Sequence, residues 1–120
     1  MSSASWFRKI PPVSREERVA RNETLFREVN ERLKEAQEEV PTGSESEFLC
    51  ECGDSECTDP VSLTLREYEE VRREPTHFAI VPGHEDPEIE QVVAWSERFV
   101  VVEKTEPQAA RIATREDPRN

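Results

Sequence analysis

The stretch Phe48-Leu49-Cys50-Glu51-Cys52-Gly53-Asp54-Ser55-Glu56-Cys57, closed by Val61-Ser62-Leu63, decides how this chain is read. Phe48-Leu49-Cys50 has the composition of a strand and Val61-Ser62-Leu63 that of its return, with an acidic, thiol-bearing loop between them. Three thiols so close together, separated by glycine, serine and carboxylates, do not read as small buried hydrophobes. A metal explains them. Zinc takes four ligands in a tetrahedron at about 2.0–2.3 Å, and soft thiolates with one imidazole suit it better than the ligand patterns of iron–sulfur clusters do. Gly53 is expected to supply a tight turn with positive φ after the second thiolate. An odd number of cysteines, three in all, also makes a poor disulfide framework and points to a reducing compartment.

The fourth ligand has to come from another part of the chain, and there are two histidines. His84 lies in the turn Pro82-Gly83-His84-Glu85-Asp86 that follows a short apolar run, where a side chain can reach a neighbouring loop. His77 opens that run and reads as an edge or surface residue. His84 is therefore preferred, while Asp54, Asp59 or a water stay open as alternatives. A water would leave a position free for substrate. Glu85 and Asp86 are placed to orient His84 through its second ring nitrogen, or more ordinarily to cap a helix.

Outward from the loop, the pattern predicts an α+β domain. A long N-terminal helix should start after Ser14, which with Glu17 has capping-box spacing, and run to about residue 39. Val19, Phe26, Val29, Leu33 and Ala36, joined by Leu25, recur every three or four residues. They predict an apolar stripe packed on the protein's own sheet rather than a coiled coil. Pro41, Gly43 and Ser44 mark a hinge over 40–46. In the core, 47–104, Thr64 and Glu67 open a helix carrying Leu65, Tyr68 and Val71. His77 to Val81 is a strand ended by Pro82-Gly83. Asp86-Pro87 announces a further helix with Ile89, Val92 and Val93 on its buried edge. Phe99 to Val102 is a strand covered on both faces. The fold expected is a long helix on a small mixed sheet with two short helices and a zinc-bearing loop; strand order is not deducible. The zinc-stabilised domain spans 14–104. Residues 1–13, with Trp6, Phe7 and the pair Pro11-Pro12, form an arm, and 105–120 a partly ordered tail.

Charge excludes several partners. The formal net charge is −11, and from Glu45 to Asp59 the charged residues are Glu45, Glu47, Glu51, Asp54, Glu56 and Asp59, without one Lys or Arg. Phosphate backbones and anionic membranes call for the opposite sign. No apolar run approaches the roughly 20 residues that span a bilayer, and the start MSSASWFRKIPP has too short an apolar stretch for a secretory signal. A cytoplasmic location is expected, with a basic protein surface as the partner.

The run from Phe48 to Asp54 with Cys57, then Glu67-Tyr68, Phe78, Pro82-Gly83-His84-Glu85, Val100-Val101-Val102-Glu103-Lys104 and Asp117-Pro118-Arg119, resembles small zinc-binding-type proteins of high-GC Gram-positive bacteria. The helix text from Arg21 to Asn30 is similar too. The resemblance covers most of residues 15–119 and supports His84 over His77, because His84 falls inside the matching Pro-Gly-His element. It implies no activity.

For function, the residues predict a non-enzymatic module with a structural Cys3His site at Cys50, Cys52, Cys57 and His84. There is no phosphate-binding glycine loop, no Ser-His-Asp set, no His-Glu-x-x-His and no deaminase signature. A thiol redox sensor that releases zinc on oxidation is the alternative, followed by a zinc hydrolase with an open metal position. Redox thiols usually sit in positive surroundings, which this loop lacks.

Overall fold

A computed structural model describes residues 14–36, 43–54 and 56–119. In chain order these form helix α1 (Arg15–Ala36), strands β1 (Glu45–Leu49) and β2 (Pro60–Thr64), helix α2 (Leu65–Arg72), strands β3 (His77–Ile80), β4 (Glu90–Trp95) and β5 (Val100–Lys104), and helix α3 (Pro107–Arg115). The α+β architecture expected from the sequence is present, with its long N-terminal helix and two short ones. Its sheet is divided in two, and both parts are antiparallel: the hairpin β1–β2 and a three-stranded sheet ordered β3–β5–β4. The arm at 1–13 and the expected end of the first helix at residue 39 fall outside the described residues. Among those described, no helix is long and apolar enough to cross a membrane.

Local chemistry accounts for most element ends. The Ser14 hydroxyl accepts the Glu17 N–H at 3.0 Å and so starts α1. Thr64 and Glu67 form a reciprocal capping box that ends β2 and opens α2 without a loop. Two segments depart from expectation. The helix anticipated after Asp86-Pro87 is a single turn, in which the Ile89 and Glu90 N–H groups bond the Asp86 carbonyl, and Val92 and Val93 belong to β4. Pairing with β5 outweighs the local cap, and the β-branched and aromatic residues of Gln91 to Trp95 suit a strand. Within the stretch read as a tail, Glu106 caps α3 by accepting the Ala109 N–H at 2.7 Å, and Pro107 occupies its first turn.

The three-stranded sheet is covered on two sides. Ala79 and Val101 face a cluster built from the hairpin and α2, namely Phe48, Val61, Leu63, Tyr68 and Val71, in which the Phe48 and Tyr68 rings stack at 4.5 Å. Phe78, Ile80, Val100 and Val102 face the other way, toward Cys50, Cys52 and Ala113 of α3. The central strand β5 is thus apolar on both faces, as expected.

Helix α1 largely inverts the expected stripe, of which Val19, Phe26 and Leu33 stay half-buried, Leu33 against the cluster of the hairpin and α2. The residues it buries are Ala20, Glu23, Thr24, Arg27, Asn30 and Glu31, while Leu25 is 56% and Val29 36% exposed. Polar partners supplied by distant strands and helices explain the inversion. Lys104 at the end of β5 binds both Glu23 and Glu90 and sits over the Phe78 ring. Arg27 donates to the carbonyls of Pro75 at 2.5 Å and Ala113 at 2.7 Å, with its guanidinium 4.5 Å from the Phe78 centroid. Glu31 accepts from Arg72 and Arg119, both at 2.6 Å. Burial pushes the Glu23 carboxyl well above the usual range, with the neighbouring Glu90 carboxylate adding to the push and Lys104 opposing it.

Removing a partner from a buried ion cluster leaves charge uncompensated, so Lys104→Met is expected to cost about 3–5 kcal/mol, against under about 0.5 kcal/mol for Leu25→Ala. Urea denaturation of both variants checks this; a large loss from Leu25→Ala would reinstate the apolar stripe.

The carboxylates around Arg119 give a pH dependence. Hydrogen bonds from Arg119 hold Glu69 down at about 2, and those from Arg119 and Arg72 bring Glu31 below its usual range against the upward push of burial. A carboxylate depressed in the folded state stabilises above its unfolded pKa of about 4.3 and loses that contribution as pH falls through the folded value. Arg119→Ala should therefore lower stability at pH 7 and lose less than the native chain between about pH 4.5 and 2. Parallel denaturation series over that range test it, and equal acid slopes would remove Arg119 from this role.

Candidate metal centre

Cys50, Cys52 and Cys57 lie on the loop that joins β1 to β2, and His84 on the turn after β3. The loop is fixed at both ends: the Cys50 N–H bonds the Asp59 carbonyl at 3.1 Å, and the Glu51 N–H bonds the Ala79 carbonyl of β3 at 2.9 Å. Inside it, the Cys57 N–H returns to the Asp54 carbonyl at 3.0 Å, and the Asp54 side chain accepts the Glu56 N–H at 2.9 Å. Glu51 points inward. Its buried carboxylate accepts from Asn30 at 2.8 Å, Tyr68 at 2.9 Å and the Ala79 N–H at 3.0 Å, so that α1, α2 and β3 all hold the residue between the first two thiols.

One ligand atom from each of Cys50, Cys52, Cys57 and His84 can be chosen so that all four lie within 4.8 Å of one another. This group could hold a metal ion. The His84 Nδ1 is 3.5 Å from the Cys50 sulfur and 3.6 Å from that of Cys57. Those separations match the edge of about 3.5 Å that a tetrahedron with metal–sulfur bonds near 2.3 Å and metal–nitrogen bonds near 2.05 Å requires. Cys50 and Cys52 are buried and Cys57 half-buried, and the Val81 N–H donates to the Cys50 sulfur at 3.2 Å. Hydrogen bonding from Cys50 holds the Cys52 thiol down at about 5; the same contact, then burial, pushes Cys50 up, and burial pushes Cys57 up. One thiolate forms readily in this cluster, and full ionisation of three calls for a cation.

The remaining candidates are separated from the cluster. His77 sits across from Glu103 in the β3–β5 ladder, its Nε2 3.8 Å from that carboxylate. Glu85 accepts the Gly83 N–H at 3.0 Å, and Asp86 binds Arg15 at 2.5 Å and accepts the Glu88 N–H at 3.2 Å, so neither orients His84 and Asp86 takes the more ordinary capping role. The group facing the second ring nitrogen is Asp59, 3.6 Å from Nε2. Asp59 stands among the alternative ligands read from the sequence, and the structure puts it on the outer side of the imidazole. Beside the cluster a cleft of about 450 Å³ is lined by Arg15, Val19, Cys52, Gly53 and His84 among others.

Gly53 has a reason other than the one expected. Positive φ occurs at Gly43 and Gly83, the latter just before His84, and not at Gly53. A Cβ on Gly53 would lie 2.0 Å from Val19 Cγ1 of α1, and the Gly53 carbonyl accepts from Asn22 at 3.1 Å. The cysteine loop therefore rests its backbone directly on α1. Gly53→Ala is expected to destabilise by about 1–3 kcal/mol through overpacking, and Val19→Ala in the same chain to recover most of that. Urea midpoints of the two singles and the double measure the coupling; additive losses would separate Gly53 from Val19.

Comparison with protein-family models, with curated proteins and with solved structures gives no match to this chain.

Proposed function

We propose that Cys50, Cys52, Cys57 and His84 hold one structural zinc ion, with His84 ligating through Nδ1 and its Nε2–H directed at Asp59. The observation that carries this reading is the pair of Nδ1-to-sulfur distances, 3.5 and 3.6 Å, which fit tetrahedral zinc with mixed sulfur and nitrogen ligands. Four protein ligands fill a tetrahedron, leaving no open position for a substrate, which supports a structural role over a hydrolytic one. On this reading the chain is a non-enzymatic, cytoplasmic, protein-binding or regulatory module. Its net charge of −11 favours a basic protein surface as partner and disfavours nucleic acid and anionic membrane. Redox sensing is the second reading, supported by Cys52 lining a cleft open to small oxidants. Against it, Arg15, the cationic side chain on that cleft, is occupied by Asp86 and Glu88.

Chain purified under reducing conditions should contain about one zinc per molecule by elemental analysis. Cys52→Ser should lose the metal and several kcal/mol of stability, part of a metal contribution on the order of 10 kcal/mol in small zinc domains. His84→Ala should weaken both less, because water can take the vacated position, and His77→Ala should leave both intact. Thermal melts with zinc counted in each variant test the set. Metal lost from His77→Ala but kept in His84→Ala would overturn the ligand assignment, and metal-free native chain the zinc reading itself.

A further inference from the structure

The four residues of the metal cluster are held in place to unequal degrees. Cys50 is 1% exposed; its N–H bonds the Asp59 carbonyl at 3.1 Å, and its sulfur accepts the Val81 N–H at 3.2 Å. Cys52 is 3% exposed and stands between two anchored neighbours. On one side Glu51 is tied through its side chain to Asn30, Tyr68 and Ala79; on the other Gly53 lies against Val19 and accepts from Asn22 at 3.1 Å. His84 belongs to the turn after β3, where its N–H bonds the Val81 carbonyl at 3.0 Å and its Nε2 faces Asp59 at 3.6 Å. Elements outside the loop therefore fix the Cys50-to-Gly53 stretch, and β3 leads directly into the turn of His84.

Cys57 differs. Among the described residues, the hydrogen bonds of its segment stay inside the cysteine loop. The Cys57 N–H returns to the Asp54 carbonyl at 3.0 Å, the Glu56 N–H to the Asp54 side chain at 2.9 Å, and the Asp59 N–H meets the Cys57 sulfur. The residue reaches the rest of the fold through that sulfur, 3.6 Å from His84 Nδ1, and by packing at the edge of the cluster that contains Phe78 and Ile80. Glu56, Thr58 and Asp59 beside it are exposed, and Cys57 itself is half-buried. A segment whose backbone bonds are local and solvent-facing opens at lower free energy than one tied into the core.

We propose, on the basis of the zinc reading above, that Cys57 is the detachable ligand of the site: Cys50, Cys52 and His84 keep the metal, and the position Cys57 leaves takes a cysteine thiol from a basic protein surface. The chemistry of the position selects this class of ligand. Two retained thiolates and an imidazole hold a metal that accepts soft sulfur as its fourth donor. Asp54, Glu56 and Asp59 lie close to Cys57 in the chain, and no Lys or Arg occurs from Glu45 to Asp59. An anionic thiol is repelled there, whereas one beside an ammonium or guanidinium is drawn in. The exchange balances without an oxidant. The zinc–sulfur bond to Cys57 breaks, one to the incoming sulfur forms, and the proton of the incoming thiol passes to the Cys57 thiolate. A basic partner thereby joins the metal while Gly53 stays seated on α1.

The test uses the full-length chain loaded with zinc. Neutral N-ethylmaleimide, with products mapped by peptide mass, should modify Cys57 about ten-fold or more faster than Cys50 and Cys52, and the singly modified chain should keep its zinc. In Cys57→Ala loaded with cobalt(II), the cobalt–thiolate charge-transfer absorption should fall relative to the native chain, and cysteamine, a thiol bearing an ammonium, should restore it. Mercaptoacetate, a thiol bearing a carboxylate, should need a several-fold higher concentration, and adding Asp54→Asn and Glu56→Gln should shrink that difference. Modification of Cys52 as fast as Cys57, through the cleft beside it, would overturn the proposal. Release of zinc on modification of Cys57 would do so too, as would a folded Cys57→Ala whose cobalt spectrum cysteamine leaves unchanged. Equal potency of the two thiols would overturn the choice of a basic partner. If Cys57→Ala does not fold, the order of alkylation and the zinc count in the native chain decide. A native chain that binds neither zinc nor cobalt removes the zinc reading and this one together, whereas one metal per chain with equally reactive cysteines removes this one alone.

Discussion

The side chain of Glu51 ties the domain together. It lies between Cys50 and Cys52 of the candidate metal cluster and is fully buried, a position where a carboxylate is costly without partners. Three donors meet it, from Asn30 of α1, Tyr68 of α2 and the Ala79 N–H of β3, and burial still pushes its carboxyl upward. Asn30 does more than serve Glu51. Its carbonyl oxygen accepts the Leu49 N–H at 2.7 Å and its amide donates to the Leu49 carbonyl at 2.8 Å, extending the edge of β1 with a side chain. The cysteine loop, the hairpin and the helix are thus positioned by one polar cluster.

The same logic governs the seat of α1. An apolar stripe tolerates small slips along a sheet, because the hydrophobic effect is non-directional. The face that α1 presents does not. Glu23 needs Lys104, Arg27 needs the carbonyls of Pro75 and Ala113, and Glu31 needs Arg72 and Arg119. Moving the helix by one residue would leave several buried charges without partners, each a penalty of kcal/mol scale. Specific docking therefore comes from polar pairing, with the last residues of the chain included. Asp117 binds Arg72 and Arg119 binds Glu31 and Glu69, which gives the Asp-Pro-Arg ending a structural role.

The sequence disclosed these features unevenly, for physical reasons. Signals that act within a few residues were legible: the strand–loop–strand around Cys50 to Leu63, the Thr64–Glu67 box, the β5 run and the grouping of three thiols. His84 was reachable because a turn after a strand can carry a side chain to a neighbouring loop. What escaped depends on partners distant in sequence. The periodicity of Val19, Leu25, Phe26, Val29 and Leu33 is real, but Glu23, Arg27 and Glu31 have the same helical period, and the location of Lys104, Arg72 and Arg119 decided which face turned inward. Asp86-Pro87 carries a sound helix-start signal, spent in a single turn because Gln91 to Trp95 gains a ladder with β5. Gly53 was identified as constrained, yet the constraint is the approach of Val19, a contact across more than thirty residues.

Position in the fold explains what a metal would contribute here. The hairpin and the three-stranded sheet are hydrogen-bonded as separate sheets, and the cluster of Cys50, Cys52, Cys57 and His84 lies across their seam, with three sulfurs on one side and the imidazole on the other. On one side of the seam Phe48, Tyr68, Ala79 and Val101 pack together; at the end of the hairpin the Glu51 backbone and carboxylate both engage Ala79. Apolar packing alone leaves the acidic loop unconstrained, since nothing in Glu51 to Asp59 besides its cysteines contributes apolar surface. A cation held by three thiolates and an imidazole would supply what that loop lacks: a directional contact that also neutralises most of the thiolate charge. Such a contact would add to the approach of Gly53 to Val19 and the hydrogen bond from Asn22, which already set the loop against α1.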